Sequence, residues 1–121
     1  MVELATGHFR AQAICTAAAL GIADLLKDGP KGVEELGRAT GAQPQALHRL
    51  LRALASIGVF QQDEHGDFDL TPLATTLLSD SPDSVLEGVL LAHAPFHWNS
   101  WSHLHHAVLT GKSAFEHVHG T

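Results

Sequence analysis

The sequence predicts a mainly α-helical fold, a winged helix-turn-helix with a small β-hairpin as its wing and extra helices at both ends. Three observations carry this. Leu47, Leu50, Leu51, Leu54 and Ile57 recur at spacings of three and four, which puts them on one face of a helix starting at Pro44. A shorter helical stretch, with Val33 and Leu36 as its buried stripe, precedes it across the Thr40-Gly41 turn. After Gly58 the period changes: Val59 and Phe60 open a strand, Glu64-His65-Gly66-Asp67 turns, and Phe68 and Leu70 alternate with Asp67 and Asp69 on the return.

Taken from the N-terminus, Val2 to about Leu20 reads as one helix, in which Leu4, Ala11, Ile14, Cys15 and Ala18 form a stripe of mostly small residues. Such a stripe admits a second helix at close range. Gly21 breaks it, and Ile22-Ala23-Asp24-Leu25-Leu26 is a short second helix ending in the Asp28-Gly29-Pro30 turn. Gly41 supplies the positive φ that a helix C-terminus commonly uses. Pro44 suits a first helical turn, where its missing N–H would have no partner anyway. Thr71-Pro72 combines an N-cap with proline at the first helical position and opens a short helix through Leu78. Ser81-Pro82 repeats the signal, with Asp83 complementing the helix dipole, and this helix carries Val85, Val89 and Leu90 to about His93. Pro95 restarts the chain as a last helix holding Trp98, Trp101, Leu104 or His105, and Val108 before Gly111. The closing SAFEHVHGT carries no stop signal and reads as cut rather than finished.

A chain of 121 residues with 45% hydrophobic content suits one domain, residues 1–121, with a real core. No apolar run approaches the ~20 residues of a membrane span, and no basic segment leads an apolar block at the start. The expectation is a soluble cytoplasmic protein that does not enter membranes. Cys15, the one cysteine, has no internal disulfide partner and reads as a packing residue among Ile14, Ala17 and Ala18. A net charge of −6 opposes broad affinity for nucleic acid. The outer helices carry more apolar surface than a winged helix of this size covers. At about 25 cal/mol per Å², leaving several Leu, Val and Trp side chains wet approaches a domain's whole stability margin. A homodimer covers them, with Leu4, Ala11, Ile14, Ala18, Val89 and Leu90 as the expected contacts.

Read in order, HFRAQAICTAAALGIADLL, GVEELGRATGAQPQALHRLLRALASIGVF, DFDLTPLATTLL and WNSWSHLHHAVLTGKSAFEHVHG make the chain similar to a known family. It resembles the N-terminal dimerisation domain of small-molecule S-adenosylmethionine-dependent O-methyltransferases, the bacterial polyketide and anthracycline tailoring enzymes of secondary metabolism. The resemblance covers essentially the whole chain. It implies a homodimer whose helices lie over the partner's substrate pocket, and a following Rossmann-like domain that binds S-adenosylmethionine and holds the catalytic His. That domain is expected to be absent here. Its glycine-rich strand-to-helix turn has no counterpart among the 11 glycines, since Gly29 and Gly32 flank Pro30 in a loop and the others stand apart. No catalytic, cofactor-binding or metal-binding residue is therefore assigned, and no methyl transfer is expected from this chain alone. The resemblance also implies contact with an aromatic small molecule near Phe96, His97, Trp98, Trp101 and His105, with Leu90 beside them. A planar indole next to a His donor suits a polycyclic phenol. The other reading of Trp98 and Trp101 is as core or dimer contacts.

Two further classes of function compete. A winged helix presenting Gln43, Gln45, His48, Arg49 and Arg52 suits a DNA-binding transcriptional regulator. Against it, Asp63, Glu64, Asp67 and Asp69 give the wing the wrong sign for phosphate. The second is a stand-alone, cofactor-independent enzyme or ligand-binding protein using His97 or His105 as general base. The histidines also invite a metal reading, through His93 and His97 four apart or through His117-x-His119 on an extended segment. Pro95 disturbs the first pair, and no Cys or firm carboxylate completes the second.

Overall fold

The computed structural model describes residues 1–120. Its helices are α1 (Val2–Ala5), α2 (Gly7–Leu20), α3 (Ile22–Leu25), α4 (Val33–Thr40), α5 (Pro44–Ser56), α6 (Leu86–Ala92), α7 (Pro95–Trp101), α8 (Leu104–Thr110) and α9 (Ala114–His119). Strands β1 (Phe60–Gln62) and β2 (Phe68–Leu70) form the antiparallel wing after α5, and a 3-10 turn (Ala74–Leu77) comes next in the chain.

The helix-turn-helix is α4 and α5. Gly41 closes α4 at φ 78°, in the left-handed region. Gly37 is needed for a different reason: a Cβ there would meet the Ala42 carbonyl oxygen at 3.1 Å and the Pro44 ring at 3.2 Å. The tight approach of α5 to α4 depends on that missing carbon. Gln43 caps α5, its side-chain oxygen accepting from the Ala46 N–H at 2.6 Å, with Pro44 in the first turn. Leu47, Leu51 and Leu54 of α5 are buried among Ala17, Ile22, Leu26, Leu36, Phe60 and Phe68. Leu50 is only half-buried and Ile57 is exposed, so the stripe read from the sequence is wider than the face that the core uses.

In the wing Phe60 pairs with Leu70, Gln61 with Asp69 and Gln62 with Phe68. Asp63 folds the turn by accepting from the His65 and Asp67 N–H groups at 2.9 and 3.0 Å, and Gly66 takes φ 85°. Lys31 adds a bridge to Phe68 on the outer side of β2. Thr71 ties the wing to the 3-10 turn. Its hydroxyl reaches the carbonyls of Gly58 and Val59 at 2.8 Å each and accepts from the Ala74 N–H at 3.1 Å.

Several expected boundaries move. The N-terminal helix is broken at Thr6, which has φ −104° and turns its hydroxyl back to the Val2 carbonyl just before Gly7. The helix opened by Thr71-Pro72 tightens to the 3-10 turn. Ser81-Pro82 lies in a turn, and α6 starts only at Leu86, where Ser84 accepts from the Leu86 N–H. The last expected helix is two, because Ser102 and His103 bond back to the Asn99 carbonyl and end α7. Residues 114–119, for which no helix was expected, form α9: Ser113 accepts from the Glu116 N–H, and Gly120 follows it at φ 77°. Ser-x-x-Glu was the missed signal.

Candidate functional site

Core and site separate sharply along the chain. Among the described residues, every buried one lies between Ala17 and Leu77, and α6, α7, α8 and α9 contain none. Those helices expose large apolar side chains: Leu91 at 61%, Trp101 at 61%, Leu104 at 50%, Val108 at 77% and Leu109 at 73%. At the other end of the chain Val2, Leu4 and Phe9 are equally open. These two regions meet, since Leu4, Ala5 and His8 share a hollow of about 660 Å³ with Trp98, Trp101 and Leu104.

The expected contact stripe is only partly free. Ala18 is buried within its own chain, and Ile14 and Val89 pack at the edge of the chain's own core. Leu4 is fully available, while Ala11 and Leu90 are half-covered. Ala18 thus serves the fold: helix phase put it on the outer stripe, but α2 packs against α5, α6 and α3 of its own chain, and Ala18 is 6% exposed.

An apolar groove of about 360 Å³ runs between α7, the start of α8 and α9, lined by Phe96, His97, Ser100, Trp101, Leu104, Ala114 and Phe115. The Trp101 Nε1–H donates to His97 Nε2 at 3.2 Å, which leaves Nδ1 as the ring's possible donor. The structure therefore brings together Phe96, His97 and Trp101 from the expected ligand set. Trp98 faces the neighbouring hollow, between His8 at 6.5 Å and His93 at 5.9 Å. His105 is exposed and lines neither space, and Leu90 is not in the groove. The break after Trp101 rotates α8 away from the phase that one continuous helix would have given His105. Phe115, on the helix missed in the sequence, supplies the opposite wall.

The metal and nucleic-acid readings meet different geometry from that expected. His117 and His119 stand on α9 instead of an extended segment, and α6 has ended at His93 before Pro95 starts α7. Among the described residues no three His, Cys, Asp or Glu side chains are grouped to hold a metal ion. On the outer face of the helix-turn-helix, Gln45, His48 and Arg49 share a hollow with Glu34, a carboxylate beside the cations that would meet phosphate. Among the described residues, no helix is long and apolar enough to cross a membrane.

A family model described as the O-methyltransferase dimerisation domain matches residues 2–80. The phenazine O-methyltransferase PhzM of Lysobacter antibioticus is 44% identical over 121 residues, covering 100% of this chain and 35% of its own length. The mitomycin biosynthesis 6-O-methyltransferase of Streptomyces lavendulae is 40% identical over 120 residues, 98% of this chain and 34% of its own. Among solved structures, that of LaPhzM superposes with a TM-score of 0.94 at 44% identity, covering 99% of this chain and 36% of that one. The chain spans about a third of the length of these relatives.

Proposed function

The chain belongs to the O-methyltransferase dimerisation-domain family, and we propose that residues 1–121 work as one dimerisation domain of a small-molecule O-methyltransferase, pairing with a second copy of itself. One observation carries this reading. The core closes within residues 17–77, while the helices from Leu86 to His119 bury no side chain fully and leave Leu91, Trp101, Leu104, Val108 and Leu109 in water. A two-fold partner is the simplest cover, because each open face then meets its own equivalent. The groove of Phe96, His97, Trp101 and Phe115 is offered to a flat aromatic substrate, with His97 Nδ1–H as the polar donor. The phenazine in one relative's name is a flat polycyclic ring of this kind.

Methyl transfer and S-adenosylmethionine binding are assigned to sequence outside this chain. The residues here do not fit that cofactor: the sheet among the described residues is the β1–β2 hairpin, and Gly66 turns strand into strand instead of strand into helix. Co-expressing two differently tagged copies tests the pairing. Each tag should retain the other copy; separate elution of the two would count against it.

A further inference from the structure

Residues 88–120 hold seven of the 10 histidines, with Lys112 and Glu116 as the only other ionisable side chains, so the net charge of −6 lies wholly in residues 1–87. Three of these histidines meet where α8 and α9 pack. The rings of His106 and His117 stack with centroids 3.7 Å apart and planes 22° from parallel, and His103 approaches His117 at 5.3 Å. His103 is itself held through Nδ1 by the Asn99 carbonyl and the Ser102 hydroxyl, each at 3.0 Å. Further along α9, His119 donates from Nε2 to the Phe96 carbonyl on α7 at 3.1 Å. No residue of α9 is fully buried; it lies chiefly along α7, and the imidazole contacts tie its other side to α8. The placement of α9 matters, because Ala114 and Phe115 are one wall of the aromatic groove.

We propose that α9 is an acid-released flap: the cluster of His103, His106 and His117 clamps it while the rings are neutral, and protonation frees it and opens the groove along the Phe115 side. Neutral imidazoles stack face to face, whereas imidazolium ions at that separation repel. The surroundings offer no relief. Lys112 in the connecting loop has the same sign, and Glu116, the one carboxylate on α9, makes no ion pair with these rings among the described residues. On α7 the facing titratable group, His97, is occupied by Trp101, and His105 on α8 is exposed. Burial, followed by His117, His103 and Lys112, holds His106 below its ordinary 6.5. The packed state thus binds fewer protons than the released one. Packing is favoured fully above the ordinary value and is lost as pH falls through the lowered one. The flap rests on these contacts and not on what the groove binds.

Hydrogen–deuterium exchange of the 121-residue chain, corrected for the intrinsic pH dependence of exchange, reads the flap between about pH 8 and about pH 5, where imidazole changes charge. Peptides from residues 113–119 should be protected at the upper end and lose protection by about tenfold per pH unit for each extra proton the released state binds. The α5 peptides should hold theirs. His117→Phe keeps a ring to stack but no proton site, and should leave α9 protected in acid; His106→Phe serves instead if that variant fails to fold at neutral pH. An α9 with no protection at the upper end, protection that ignores pH, or the same acid loss in the Phe variants would overturn the proposal. So would acid loss spread over α6, α7 and α8 together with dissociation of the dimer in the same samples.

Discussion

Val108→Asp separates the fold from the assembly, because its cost exists only in the dimer. In the single chain Val108 is 77% exposed, with Leu109 beside it at 73% and Leu104 one turn away at 50%. A carboxylate at this position of α8 enters water and leaves the core of residues 17–77 untouched. In a dimer closed over α8 the same carboxylate is buried. The valine burial forgone is about 1.5 kcal/mol at the low end of the usual range. Two-fold symmetry repeats the change on the partner, giving about 3 kcal/mol per dimer before the stranded charge is counted. The charge adds to this, since an unpaired carboxylate is costly to bury. At about 1.4 kcal/mol per tenfold, dissociation should be easier by a factor of at least about a hundred. Size exclusion with light scattering gives the mass, and circular dichroism checks the helices. A folded monomer is the expected result. A variant dimer as tight as the native one would refute the reasoning, and an unfolded variant would mean that Val108 serves the fold. Ile14→Asp does not make this separation, because Ile14 packs on its own chain's core and the substitution damages both.

Leu54→Ala removes a side chain with 0% exposure at the centre of the α5 face and should lower stability by about 3 kcal/mol in urea unfolding, with an unchanged denaturant slope; a negligible loss would mean the core is not packed as described. Thr71→Val leaves the Ala74 N–H without its acceptor and should cost about 1 to 2 kcal/mol in the same assay, with no change in oligomeric state. Fluorescence anisotropy with duplex DNA at low salt should show no saturable binding, since Glu34 lies beside Arg49 and the wing carries four carboxylates. Submicromolar, salt-sensitive binding lost on replacing Arg49 and Arg52 with Ala would favour the regulator reading instead.

What was legible in the sequence is what local chemistry decides. Leu47, Leu51 and Leu54 announce their face by spacing, Pro44 and Gly41 announce the turn between α4 and α5, and Phe60 and Phe68 announce the wing. The family was legible for the same reason, because its signature is an order of such local elements. Legibility fails where side-chain hydrogen bonds compete with the helix. At Thr6 and Ser102 a hydroxyl turns to a backbone carbonyl where the run ends, yet Thr16 and Ser100 make the same kind of bond inside α2 and α7, so residue type alone does not mark the break. The break at Ser102 matters most for the site, since it takes His105 out of the groove and leaves Leu104 in it. Phe115 stands on α9, six residues long and too short to show a hydrophobic period, so that only Ser113 and Glu116 at capping-box spacing mark it. Ala18 shows the limit of helix phase: α2 packs against α3, α5 and α6 of its own chain, and phase alone does not say which residues of the stripe they cover.

The central claim is that the apolar helices outside the closed core are covered by a second copy of the chain. Sedimentation equilibrium of the native chain over a micromolar concentration series tests it most directly. The mass should fit twice the 12.9 kDa of one chain, with little dissociation at the dilute end. A well-folded species of 12.9 kDa at every concentration would contradict the claim, because Trp101, Val108 and Leu109 would then stand in water with nothing to cover them.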